Sequence, residues 1–290
     1  MLNKKRVREE IDYTNTLKMI VQAYEEIAVM KMQRVRKSVI SARSFMESIV
    51  EVFADVKSSY RRKILEIMKR NKNQGKNTFS TIVKNGKNAN VFLSANAKLY
   101  GDIITKVFRE FQKHIDEDVD LVVVGKLGRD LMHEYGVKKQ FLYFDMPDDA
   151  VSLENLKPVI YHLINYEKIN VFYGKFESIV NQEASVANVT GDQAIDFRQD
   201  TKATNEFLYE PSLNKLMNFF ETQVFTSLFR QTASEFQLAR YASRIKSMED
   251  ILVNIDNHGR QLKQEERRVK RAIGNKKQYE VVAGINLWSN

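Results

Sequence analysis

LKMIVQAYEEIAVMKMQRVRKSVISARSFMESIVEVFADVKSSYRRKILEI, residues 17–67, decides the fold. Its apolar stripe runs Leu17, Val21, Tyr24, Ala28, Met32, Val35, Val39, Ala42, Met46, Ile49, Phe53, Val56, Tyr60, Ile64, Ile67. Steps of three and four residues place these side chains on one seam of a helix. Residues 1–74 contain neither Gly nor Pro, so no strong breaker interrupts it. The other end of the chain matches in kind: no Pro follows Pro211, and the stripe there runs Leu238, Tyr241, Ile245, Met248, Leu252, Ile255, Leu262, Val269, Ile273. A seam sustained over this many heptads is that of a coiled coil rather than of a globular helix. A helix of roughly 60 residues is ~90 Å long, too long to be enclosed by a compact domain. A chain with such helices at both ends is built to reach or to transmit.

Between the helices the periodicity changes. All three Pro lie between 147 and 211, and the polar, Gly-containing stretch Asn71–Lys87 reads as a linker or loop. Strands are expected at Asn90–Ser94 (NVFLS), Asp120–Val124 (DLVVV), Phe141–Phe144 and Asn170–Phe176 (NVFYGKF), with weaker candidates at 184–190 and 204–209. Helices are expected at Lys98–His114, Leu127–Tyr135 and Ser152–Tyr166. Strands alternating with helices imply a parallel sheet. Pro211 before Ser212 fits the start of the last helix. The expected architecture is α/β: a long antiparallel coiled coil of N- and C-terminal helices (1–74 and 211–290) with a central Rossmann-like α/β domain (75–210).

Composition narrows the function. The chain of 290 residues is 43% hydrophobic, enough for a core, and no run approaches a membrane span. The opening MLNKKRVREEIDY offers neither the apolar run of a secretory signal nor the acid-poor character of a transit peptide. With no Cys there is no disulfide or thiolate chemistry. The expected place is the cytosol or a cytoplasmic membrane face. The net charge of +9 suits nucleic acid, an anionic surface or an acidic protein partner, and basic residues crowd Arg260–Lys277.

No catalytic constellation is visible, and no cofactor or metal is expected. Gly125-Lys126-Leu127-Gly128 has the wrong spacing for a phosphate loop, and the full GxGxxG of a dinucleotide turn is missing. His114, His133, His162 and His258 are scattered. The acidic run Asp116, Glu117, Asp118, Asp120 reads as a solvated loop, and Gly128, Arg129 and Asp130 as the cap of a strand–helix turn. A basic helix could track phosphates, but here it shares its helix with an apolar seam, and no base-reading module is present.

The residues also carry a resemblance. Ile11–Met32 (IDYTNTLKMIVQAYEEIAVMKM), Val124–Gly136 (VGKLGRDLMHEYG), Tyr173–Phe176 (YGKF) with Gln182, Leu208–Leu216 (LYEPSLNKL), Ser234–Arg240 and Glu280–Gly284 (EVVAG) fall in the order of corresponding segments of the gamma subunits of F-type ATP synthases. The chain resembles that family over nearly its whole length. It departs from it at Ala97-Lys98-Leu99-Tyr100-Gly101, where the family has Gly-Leu-Cys-Gly-Gly, and at Tyr24, where it has Met. It departs again at Lys270-Arg271-Ala272-Ile273-Gly274-Asn275, and the Ser-Glu to Ala-Arg spacing is one residue longer.

The resemblance implies a non-catalytic rotor shaft, peripheral to a bacterial membrane at its cytoplasmic face. The shaft turns inside a sleeve of alpha and beta subunits, with epsilon and the membrane c-ring at its foot and no nucleic acid. It implies head contacts at Lys18, Tyr24, Lys31, Lys270, Arg271 and Asn275, and an apical bearing at Ile285, Leu287 and Trp288. Core packing is expected for Met19. The alternatives are the shaft of a divergent rotary ATPase not used for synthesis, or a basic coiled-coil nucleic-acid binder.

Overall fold

The computed structural model describes residues 4–59, 84–149, 151–190 and 213–288. The chain runs α1 (Lys4–Ser59), β1 (Asn88–Leu93), α2 (Ile103–Gln112), β2 (Val119–Val124), α3 (Lys126–Glu134), β3 (Phe141–Phe144), α4 (Leu153–Leu163), β4 (Lys168–Phe176), β5 (Gln182–Asn188) and α5 (Leu213–Trp288). Two long terminal helices bracket an α/β sheet, as the sequence predicts. The boundaries at 74–75 and 210–211, the strand candidate at 204–209, Ser212, Tyr60, Ile64 and Ile67 lie outside the described residues. Phe53 and Val56 lie in α1, but their side chains also lie outside what is described. Among the described residues no helix is long and apolar enough to cross a membrane.

The chain forms two compact units, one of Met1–Val29 with Arg244–Asn290 and one of Met30–Ser243. Each long helix contributes to both.

The larger unit holds a five-stranded sheet of order β3-β2-β1-β4-β5. β1 to β4 are parallel and β5 runs antiparallel beside β4. The central strands are buried on both faces, which is why they read as unbroken apolar runs. α2 buries Ile103, Ile104, Val107, Phe108 and Phe111 against the sheet. Phe111 stacks on Phe92 at 5.4 Å and meets the Phe172 ring edge-on at 5.2 Å. Phe225, Phe229 and Phe236 of α5 and Val35 and Val39 of α1 belong to the same core. α5 is buried at every position from Phe236 to Ser243. The small residues Ala239, Ala242 and Ser243 let neighbours approach that stretch from all sides.

One glycine fixes the turn after β2. Gly125 has φ +100°, and a Cβ there would lie 2.8 Å from the Ala95 nitrogen. Gly125 therefore serves as the N-cap of α3. Gly128, Arg129 and Asp130 lie inside α3 rather than capping it, and Gly128 is small because Ser94, Val123 and Phe92 press against it.

The smaller unit is a coiled-coil seam, and it corrects the sequence reading. The buried α1 positions there recur every seven residues, at Val7, Thr14, Val21 and Ala28. The alternate seam positions, half-buried, are Ile11, Lys18 and Glu25. Leu17 and Tyr24 face out, at 36% and 47% exposure, and Met19 is 62% exposed instead of packed in a core. The reason is heptad continuity. The stripe read from the sequence takes two successive steps of four, Tyr24–Ala28–Met32. Stepping back by sevens from Met46 gives Val39, Met32, Glu25, Lys18 and Ile11 instead. The helix keeps the unbroken repeat and accepts two charges on it. On α5 the seam holds at Met248, Leu252, Ile255, Leu262 and Val269, while Ile245 is half-buried and Ile273 exposed.

Candidate functional site

The helices of the smaller unit run antiparallel. Lys18 meets Asp256, Val21 clusters with Met248, Leu252 and Ile255, and Glu25 lies near Glu249, so α5 numbers fall as α1 numbers rise. Lys18 Nζ donates to Asp256 Oδ1 at 2.6 Å, and this bond holds the Asp256 carboxyl below its ordinary range. One heptad along, burial raises the pKa of Glu25, and the like charges of Glu249 and Glu26 add to the rise. The seam thus carries one attractive and one repulsive charge layer.

The repulsive layer gives a signed expectation. A raised carboxyl pKa favours the folded state below the unfolded pKa, and that advantage is lost as pH rises through the folded value. Glu25→Gln therefore raises the melting temperature at pH 7 by ~1 °C, the scale of a single like-charge helix pair. The difference should close below pH ~4, where wild-type Glu25 is itself protonated. Equal melting of variant and wild type at pH 7 would remove the repulsion.

Outside the seam, Tyr13, Leu17, Ile20, Tyr24 and Ile27 form a second 4-3-4-3 stripe on α1, and all five are exposed. Tyr24, a predicted head contact, sits in this stripe. Lys270, Arg271 and Asn275 are exposed on α5; Lys270 Nζ reaches Glu266 at 2.8 Å and depresses its pKa. Ile285, Leu287 and Trp288 fall in the last turns of α5, and their side chains lie outside the described residues. Lys18 and Lys31 do not share one cluster. They belong to different units, and Lys31 Nζ binds Asp149 Oδ1 at 2.6 Å.

Asp149 leads to a junction in the larger unit that sequence reasoning missed. The segment after β3 places Asp148 and Asp149 side by side. Asp148 accepts from the Asn96 backbone nitrogen (2.9 Å), from that of Ala97 (2.6 Å) and from Arg240 Nη1 (2.7 Å). Arg240 also donates to the Ser94 carbonyl at 3.2 Å and packs on the rings of Tyr100 (5.3 Å) and Phe236 (5.0 Å). It is 1% exposed. Gln237 donates to the Asp148 carbonyl at 2.7 Å, and the Tyr241 hydroxyl donates to Asp149 at 2.9 Å. Burial, then that bond, drives the Tyr241 pKa well above the ordinary phenol value.

This junction lies at the carboxyl ends of the parallel strands, beside the point where the strand order reverses between β1 and β4. Sheets of this kind bind nucleotides there. Here the Arg240 guanidinium of the chain itself reaches the Ser94 carbonyl at the end of β1. Among the described residues no cluster of His, Asp and Glu is arranged to hold a metal. The arrangement joins α5 to the sheet and to the segment after β3.

Residues 3–286 match the family described as ATP synthase. A Buchnera aphidicola protein named ATP synthase gamma chain is 24% identical over 100% of this chain and 99% of its own length. One from Staphylococcus epidermidis is 21% identical over 98% of each. Among solved structures, the fold matches a chain of the Euglena gracilis mitochondrial ATP synthase OSCP/F1/c-ring with TM-score 0.65 at 16% identity, covering 98% of this chain and 93% of that one. It also matches a chain of the Tetrahymena thermophila mitochondrial central stalk and c-ring with TM-score 0.56 at 15% identity, covering 80% and 99%.

Proposed function

Because this chain belongs to the ATP synthase family, as a relative of its gamma chains over their full length, we propose that it is the central shaft of a rotary ATP synthase. It carries torque between a membrane c-ring and a head of alpha and beta subunits, without catalysing a reaction itself. The carrying observation is the match over residues 3–286, which the two long helices around an α/β sheet make physically sensible. It supports this reading over a nucleic-acid binder or a rotary ATPase without a synthetic role.

The division of labour follows the three parts 1–74, 75–210 and 211–290. The paired helices turn inside the head, and the α/β part meets epsilon and the c-ring, at the cytoplasmic face of a bacterial membrane. A turning shaft needs contacts that attract without interlocking. Long-range charge on Lys270 and Arg271, with Asn275 beside them, meets that need against acidic loops. Tyr24 adds an exposed ring. Lys18 and Lys31 each hold one carboxylate of this chain and still expose about a third of their side chains, 34% and 37%. Ile285, Leu287 and Trp288 form an apolar bearing at the tip.

Purification of the tagged chain at physiological salt after nuclease treatment is expected to recover two larger nucleotide-binding subunits with ATPase activity. Recovery of the chain alone, with salt-sensitive nucleic-acid binding, would overturn the reading. Reversing both charges, Lys270→Glu with Arg271→Glu, should lower ATP-driven proton pumping roughly two- to fivefold, the scale of ~0.5–1 kcal/mol of lost attraction. Hydrolysis and folding should be little changed. Unaltered pumping would remove these residues from the coupling contacts.

A further inference from the structure

We infer that Arg240 and Asp148 form an azimuthal pin that fixes the rotation of α5 about its own axis relative to the α/β sheet. Lys84–Glu221 is the second pin at the opposite end of the strands. This rests on the shaft reading above and says where torque enters the helix.

The geometry carries it. Glu221 of α5 lies 3.9 Å from Lys84, both side chains nearly buried, and Lys84 donates to the Ile164 carbonyl. Lys84 precedes β1 and Ile164 precedes β4, so this pair marks the amino ends of the parallel strands. Arg240 reaches the Ser94 carbonyl, just past β1, and Asp148, just past β3, at the carboxyl ends. The pins are separated by 19 helical residues (221 to 240), ~28 Å at the helical rise. Between them α5 contributes Phe225, Phe229 and Phe236 to the core.

Apolar packing is non-directional, and rings can repack under a small twist. A guanidinium that packs on two rings and donates to the Ser94 carbonyl and the Asp148 carboxylate does not turn without breaking those bonds. Buried ion pairs are weak sources of net stability and better attested as devices for register. The apolar core therefore holds α5 against the sheet, and the two charged pairs set its angle.

The test uses the complete complex, fixed by its head and held still with a non-hydrolysable nucleotide. A gold rod is attached through Tyr161→Cys, the one thiol of this chain, at an exposed position of the α/β part, with any accessible cysteines of the other subunits replaced. Thermal angular variance of the rod is compared between this parent and Arg240→Met. The substitution leaves Asp148 with its two backbone donors. The Gln237 and Tyr241 bonds to the 148–149 segment remain, so loss of the Arg240 restraint should raise the variance by up to about twofold, with hydrolysis retained. Arg240→Lys, which keeps the charge and loses the fork, should give an intermediate value, and it decides the matter if Arg240→Met does not assemble. A merely structural role would lower the melting temperature and leave the variance of assembled complexes alone. Unchanged variance in the assembled variants overturns the pin. A parent complex whose rod does not rotate with ATP overturns the shaft reading itself.

Discussion

Asp148→Ala is expected to lower the unfolding free energy by about 3–5 kcal/mol, the cost of leaving one member of a buried ion pair without its partner. The deletion strands the Arg240 guanidinium, 1% exposed, and removes the acceptor of the Asn96 and Ala97 backbone N–H groups. Arg240→Met should cost less, because Asp148 keeps both of those donors. Urea denaturation of the two variants checks the order. A loss under ~1 kcal/mol for Asp148→Ala would place Arg240 in an environment as mild as that of a surface pair.

Gly125→Ala is expected to cost about 2–5 kcal/mol, combining a backbone conformation reserved for glycine with a collision that side-chain motion cannot relieve. The atoms that meet the new Cβ are the nitrogen and oxygen of Ala95, at 2.8 and 3.0 Å, and both belong to the backbone. The Ala95 carbonyl also accepts the Leu127 N–H at 2.8 Å, so moving it disturbs the start of α3. Gly136→Ala is the matched control. Its φ is +63°, but nothing lies within 4 Å of a built Cβ, and the loss should stay near ~1 kcal/mol. Equal losses in thermal melts of the two variants would show that the Ala95 contact contributes nothing.

The strands β1, β2 and β4 were legible because a parallel strand buried on both faces has no polar alternation to hide it. β5 gave a weak signal: QEASVAN is an edge strand whose outward residues face water. The coiled coil was legible as a whole and misread in phase. Leu17 and Tyr24 look like seam residues by hydropathy, whereas the heptad count back from Met46 puts the charged Lys18 and Glu25 there, and the Lys18–Asp256 pair bears out the count. The Arg240–Asp148 junction was not legible, because its members are 92 residues apart. An arginine beside a seam residue reads as solvated. A usable signal did exist in ASEFQLARYAS, residues 233–243: small residues recur on every side of the helix turn, which marks a segment surrounded by protein.

The exposed stripe Tyr13, Leu17, Ile20, Tyr24, Ile27 has a consequence for biogenesis. A 4-3-4-3 apolar ribbon is what another helix seeks, so chains synthesised without their partners should cluster through it as concentration rises. Yield of dispersed protein should then fall when the chain is made alone and recover when its partners are made with it.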